Sequence, residues 1–367
     1  MSEITQAIVR VGVDLAKQVI QVHAVDRTGR CVTARAIKRG QFLAWCTQLP
    51  PSCFLAMEAC AGAHQWARKL RALGLDARLI AAHFVTPYRM EGKSGKNDMT
   101  DAAAICEAAS RPKMRFVPIK TCEQQGILSL HRVREGIKEE RTACINRIRG
   151  VLAEFGLVFA KRTEALRAEL TDTIEDAGNE LSTTARRVLQ RAFDHWRELE
   201  EHLRWCDQQV RHHARSSPEA RRAADITGIG ELGASALVAS VGEFRQFRSG
   251  EQFAAWLGVV PSQHSSGGKA SMGGITKRGD DYLRMLMIQG ARAAVMTATK
   301  RDDPTSRWLA QLTQRVGWQK ASVAMANKNA RILWAVMTRG TSFDPRHVST
   351  KPATPCSQTE DLVPATA

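Results

Sequence analysis

Alternating apolar and polar positions mark the first hundred residues as sheet-forming. Ile8-Val9-Arg10-Val11-Gly12-Val13-Asp14 and Cys53-Phe54-Leu55-Ala56-Met57-Glu58 are short apolar runs that each end in a carboxylate, and both read as strands. Lys17 to Val25 alternates as a further strand, Asp26-Arg27-Thr28-Gly29 is a turn, and Ala77 to Ala81 is another strand. Gly62 to Leu73 has helical spacing. After the loop Lys93-Ser94-Gly95-Lys96-Asn97, Met99 to Ala109 returns to helix, and Arg111-Pro112 ends it. From about 120 to 215 the chain is long, polar and without strand signals. Ala185, Ala192, Leu199 and Cys206 recur every seven residues, as do Leu189, Trp196, Leu203 and Val210, offset by four. This seam has the spacing of a coiled coil, and a helical hairpin packed on itself accounts for it nearly as well. Leu130, Ile137, Cys144 and Val151 form a weaker series upstream. Residues from about 220 to 340 read as globular and mostly helical, and the Pro-, Thr- and Ser-rich stretch beyond them as a disordered tail.

A strand pair followed by strand, helix and strand, with acids at the strand ends, is the outline of an RNase H-like α/β fold. Asp14 and Glu58 stand where open α/β sheets gather their chemistry, at the carboxyl ends of strands. Asp98 and Asp101, three apart at the start of a helix, share one face. Four convergent carboxylates repel unless a cation neutralises them. A pair of hard divalent ions would do so, and such a pair clamps the attacking and leaving oxygens of a phosphodiester. The expectation is nucleic-acid strand transfer. A net charge of +16 favours a polyanionic partner, although a basic and inert surface would give the same number. The hydrophobic share of 44% fits a folded protein rather than a disordered one. Nine Cys without a CxxC pair fit buried thiols in a reducing cytoplasm, not a disulfide framework or zinc site. No apolar run is long enough to span a membrane, and the first residues do not begin a secretory signal.

Two further stretches carry weaker signals. Ile226-Thr227-Gly228-Ile229-Gly230 precedes the small-residue helix Ala234 to Val241. Gly228 and Gly230 would let backbone N–H groups approach a phosphate, as in helix-hairpin-helix elements, and tight helix packing would use the same glycines. The run Pro261-Ser262-Gln263-His264-Ser265-Ser266-Gly267-Gly268-Lys269 leads through Ile275-Thr276-Lys277-Arg278-Gly279 to Arg284. It could present a hydroxyl nucleophile among cations, but in isolation it reads as a flexible loop. His264 is the only base near its serines. His195, His202, His212 and His213 ride a helical segment as solvated groups rather than metal ligands, and Trp308, Trp318 and Trp334 read as core. Lys93, Lys96, Arg111, Lys113 and Arg115 flank the Asp98–Asp101 pair, where a solvated face or a grip on a nucleic-acid backbone explains them.

Taken together, Asp14, Glu58 and Lys96-Asn97-Asp98-Met99-Thr100-Asp101-Ala102-Ala103-Ala104 resemble the DEDD transposases of bacterial insertion sequences (the insertion-sequence one-ten family). The likeness continues in order through Arg111-Pro112-Lys113-Met114-Arg115-Phe116-Val117-Pro118, Ile226 to Gly230, Ser265-Ser266-Gly267 and Ile275 to Gly279. It spans nearly the whole chain, and Glu123-Gln124-Gln125 is most similar to the eleven-eleven group. The resemblance implies an RNase H-like domain at 1–118, similar to Holliday-junction resolvases, and a helical coiled-coil arm at 119–216. A mostly helical transposase domain with a helix-hairpin-helix-like element would occupy 217–340, and a tail 341–367. It also implies a site-specific recombinase that acts on element ends and target DNA, guided by a bridge RNA. Asp14, Glu58, Asp98 and Asp101 would hold one or two Mg²⁺ ions. A serine would form a phosphoserine link to DNA, and its position five after Pro261 makes it Ser266, with Ser265 adjacent. Lys269, Lys277, Arg278 and Arg284 would position phosphates. The composite site is expected across subunits of a homo-oligomer, dimer or tetramer. Rival readings are a junction-resolvase-like nuclease that uses water, and an inert nucleic-acid-binding protein. An actin- or sugar-kinase-type enzyme would need further Gly-rich phosphate loops, which the chain lacks.

Overall fold

The computed structural model describes residues 7–89, 98–266 and 269–347. The expected loop at 93–97 and the tail from 348 onward lie outside the described residues. The chain divides into two compact units, residues 1–217 with 235–248, and 218–234 with 249–367.

In the first unit a six-stranded sheet has the order β3-β2-β1-β4-β5-β6. Its strands are β1 (Arg10–Leu15), β2 (Val19–Val25), β3 (Cys31–Lys38), β4 (Phe54–Glu58), β5 (Asp76–Ile80) and β6 (Phe116–Val117). β1, β2 and β3 form an antiparallel meander; β4 and β5 run parallel to β1, and β6 returns antiparallel at the edge. Alternation along the strands divides their side chains between two faces. Val11, Val13, Leu55 and Met57 join one core with helices α1 (Phe42–Cys46) and α2 (Ala63–Ala72), including Phe42, Trp45, Trp66 and Leu70. The short helix α3 (Ala82–Val85) and α4 (Asp98–Ala109) cover the other face, where Ala56, Ile80, Val85, Ala104, Ile105 and Ala108 form a second cluster. The expected strands are all present. The sequence pattern does not reveal β3, α1 or the two-residue β6, whose patterning is weak or too short to register.

Two long helices follow, α5 (Cys122–Glu154) and α7 (Thr183–Ser216), with α6 (Thr163–Glu175) between them. Thr121 caps α5 in a reciprocal pair with Gln124. The heptad residues Leu189, Trp196 and Leu199 are buried against Cys144, Ile145, Ile148 and Leu152 of α5 and Leu166 and Leu170 of α6. Much of the seam is thus covered within the chain.

The second unit contains α8 (Pro218–Ala224), and α9 (Glu231–Val241) starts in it before continuing into the first. It continues with α10 (Gly250–Leu257), a two-stranded sheet of β7 (Pro261–Ser266) and β8 (Lys269–Ile275), and α11 (Asp281–Thr297), α12 (Pro304–Val316) and α13 (Trp318–Arg339). The Gly/Ser stretch expected to be a flexible loop is therefore mostly antiparallel strand. Ser265 pairs with Ala270 and Ser266 with Lys269, and a register shift falls between Pro261 and Gln263. Trp318 is another correction: it is 42% exposed and lies under the Arg292 guanidinium instead of in a core.

Candidate active site

Strand alternation places Asp14 and Glu58 on the α4 side of the sheet, because Val13 and Met57 point to the opposite core. The parallel register pairs Val13 with Met57, so the two acids follow at neighbouring strand ends. α4 lies directly on β1 because Gly12 has no side chain. A Cβ there would overlap the Ala102 carbonyl and stand 2.5 Å from the Cys106 nitrogen. The close approach brings Asp101, only 7% exposed, to the same end of the sheet. Asp98 opens the same helix one turn earlier.

A cation unnoticed in the sequence joins two of these acids. Arg89 Nη2 donates to Glu58 Oε2 at 3.1 Å, and its Nε is 2.8 Å from Asp101 Oδ1. The Cys60 thiol is nearby. Burial pushes its pKa up first, and the charges of Glu58 and Asp14 push it further the same way. Asp14 and Glu58 thus act on one point, and Glu58 and Asp101 on another. Beside them a cleft of about 420 Å³ is lined by Leu15, Lys17, Arg39 and Cys60. Among the described residues no group of three or more His, Cys, Asp or Glu side chains closes tightly enough to hold a metal ion. The side chain of Asp98 lies outside that description.

Of the expected phosphate contacts, Lys93 and Lys96 lie outside the described residues. Arg111 and Lys113 are exposed; Arg111 pairs with Glu107 and covers the Tyr88 ring at 5.4 Å. In the second unit Gly228 has φ +88° and packs into a tight crossing. A Cβ on it would meet Asn329 Nδ2 at 2.9 Å, and one on Gly290 of α11 would overlap the Gly228 carbonyl. Asn329, fully buried, donates to Thr227 O at 2.9 Å. This favours the packing account of Gly228, whereas Gly230 has open space around it. Lys277 and Arg278 are exposed on a turn held against the end of α10, with Lys277 N bonded to Gly258 O at 3.2 Å. Lys277 adopts φ +54°, a conformation that costs a side-chain-bearing residue energy. Arg284 differs from its neighbours: 8% exposed, it donates to Gly279 O at 3.1 Å and pairs with Asp281, bracing the turn from beneath. His264 is exposed, and the backbone of Ser266 ends β7.

One histidine departs from expectation. His213 does not simply face solvent; its Nδ1 and the Nε2 of His131 both lie 2.9 Å from the buried Ser235 hydroxyl. That link ties α7 and α5 to α9.

A DNA-processing enzyme is the class that fits a carboxylate site at the ends of β1 and β4 in a strongly basic chain. Residues 11–156 match the family model of DEDD transposases, and residues 220–306 that of the IS116/IS110/IS902 family of transposases. Over 339 residues the chain is 49% identical to a probable family 20 transposase of Pseudomonas aeruginosa, covering 92% of this chain and 98% of that one. It is 40% identical over 332 residues to the transposase for insertion sequence element IS1111A of Coxiella burnetii, covering 90% of each chain. It is 37% identical over 336 residues to the IS1328 transposase of Yersinia enterocolitica, covering 91% of this chain and 98% of that one. The chain belongs to the IS110/IS116 family of transposases, enzymes of DNA transposition. Among the described residues no helix is long and apolar enough to cross a membrane.

Proposed function

We propose that the protein cuts and rejoins DNA through an RNase H-like carboxylate site and a serine nucleophile. The observation that carries this reading is the convergence of Glu58 and Asp101 on a single cationic group, with Asp14 at the adjacent strand end. Strand order supports the RNase H-like part, since an antiparallel three-strand meander continues into parallel β4 and β5. Asp14, Glu58, Asp98 and Asp101 are hard oxygen donors suited to Mg²⁺, and the guanidinium between two of them is a stand-in for such a charge. Bound there, one or two Mg²⁺ ions would supply electrostatic stabilisation of the transferring phosphoryl group.

Ser266 is the nucleophile in this reading. Its Oγ gives up a proton and bonds to the DNA phosphorus, and the departing DNA oxygen takes up a proton as its own bond to phosphorus breaks. The new phosphoserine ester retains the bond energy, so that rejoining needs no ATP. Lys277 and Arg278, exposed on a braced turn, position the phosphates, with Arg284 supporting the turn. The domain bounds inferred above, a bridge RNA as guide and assembly into a dimer or tetramer through the helical arm belong to the same reading.

The test is a denaturing gel of full-length protein with Mg²⁺, element-end and target DNA, and RNA transcribed from the element's flanks. A slow-migrating protein–DNA adduct should form, and Ser266→Ala and Asp101→Ala should each abolish it while DNA binding persists. Adducts that survive Ser266→Ala would remove the serine from its role. Cleavage without any adduct would favour water as nucleophile.

A further inference from the structure

Glu58 and Asp101 lie close enough to share one guanidinium, which raises the question of what holds them together when no metal ion is present. Two carboxylates at such range, one of them almost buried, destabilise each other unless a positive charge intervenes. Arg89 supplies it, and among the described residues no other Lys or Arg pairs with either acid. Its backbone is fixed for the task. Arg89 follows the turn Thr86–Tyr88, its own N–H bonds to Thr86 O at 3.2 Å, and Tyr88 packs against the cluster formed by Val85, Ile105 and Ala108. The guanidinium is therefore delivered to the site by structure that already packs on α4. The side chain remains about one-third exposed, at 32%, so it has a route out to water.

We propose that Arg89 is a resident counter-cation of the acidic cluster, one that yields Glu58 and Asp101 to the divalent ion as that ion binds. This rests on the reading that the four acids hold a divalent metal. Arg89 is a positioning residue here: it keeps the two carboxylates aimed at one point, and its departure sets a threshold on metal loading. A protein in which the paired state predominates binds metal more weakly than its carboxylates alone would, in proportion to the competent fraction. Removing the guanidinium should therefore tighten metal binding, whereas removing a purely structural residue would loosen it.

The experiment is calorimetric titration of Mn²⁺ into the full-length protein without nucleic acid, for wild type, Arg89→Gln, Arg89→Lys and Asp101→Asn. Arg89→Gln should bind Mn²⁺ roughly tenfold more tightly than wild type, and Asp101→Asn more weakly. Arg89→Lys keeps the charge but replaces the forked guanidinium, whose separate nitrogens meet Glu58 and Asp101, with a single ammonium, so its affinity should fall between wild type and Arg89→Gln. Its result carries the test if Arg89→Gln does not fold. Affinity equal to or weaker than wild type in the folded Arg89 variants would overturn the counter-cation role while leaving the metal reading intact. No Mn²⁺ binding by any of the proteins would overturn both.

Discussion

At Gly12 a hydrogen in place of a methyl group lets α4 lie on β1, and that close packing carries Asp101 into the site. A Cβ would collide with the backbone of Ala102 and Cys106, and backbone cannot swing aside as a long side chain can. Gly12→Ala should cost about 3 kcal/mol, at the upper end for overpacked cores. A thermal melt should show a clearly lower midpoint and, on the proposed metal reading, Mn²⁺ affinity should fall as well because the helix bearing Asp98 and Asp101 is displaced. Gly126 is the internal comparison: exposed in α5 with nothing within 4 Å, it should gain about 0.5–1 kcal/mol on replacement by Ala. Equal melts for the two variants would refute the packing account. Asp14 and Glu58 are legible in the sequence because they end apolar runs. Gly12 and Arg89 are not, because each acquires its meaning from a partner distant in the chain: Ala102 on α4 for Gly12, Glu58 and Asp101 for Arg89.

Among the elements, the long helices are the plainest in the sequence, since a seven-residue apolar period persists only where one face stays covered. What the period does not reveal is which surface covers it, and here α5 and α6 bury much of it within the chain. The pairing of β7 with β8 is hidden for the opposite reason: Gly is a poor strand former, so a run rich in Gly and Ser reads as loop. The junction of α5, α7 and α9 makes a prediction of its own. Burial, then the charges of Arg134 and His213, lower His131 from 6.5 to about 4. Arg134 is itself paired with Asp207 at 2.6 Å. His213 is lowered mainly by burial, with Glu123 opposing. A His held neutral in the fold but free to take a proton when unfolded adds stability that is whole above 6.5 and lost as pH falls toward 4. For His131 that loss is on the order of 3 kcal/mol. Denaturant melts across this window should show it, and His131→Gln should flatten the profile. His64, lowered to about 4 by burial and then by Lys120 and Arg68, pushes the same way and leaves a residual slope. A profile unchanged by His131→Gln would sink the assignment.

For the molecule as a whole, charge and construction act together. A net charge of +16 spread over both units gives an attraction to DNA that needs no particular sequence, and counterion release makes such binding fall steeply with salt. Composition makes this legible but does not say which cations meet phosphate, because Lys and Arg serve two purposes here. Arg284, Arg134 and Arg89 are engaged with oxygens of the protein itself. Lys277 and Arg278 are exposed on a turn anchored to the end of α10, a placement that keeps both charges available. The double substitution Lys277→Ala with Arg278→Ala should therefore weaken binding to any DNA sequence. It should also make the slope of log affinity against log salt shallower by about 2, close to one for each phosphate that is no longer neutralised. Arg284→Ala should instead lower the melting midpoint by loosening the turn, and should affect the salt slope only through that turn. Fluorescence anisotropy titrations at several salt concentrations separate these outcomes. If the double variant keeps the wild-type slope, the exposed pair does not touch phosphate, and other cations carry the attraction to DNA.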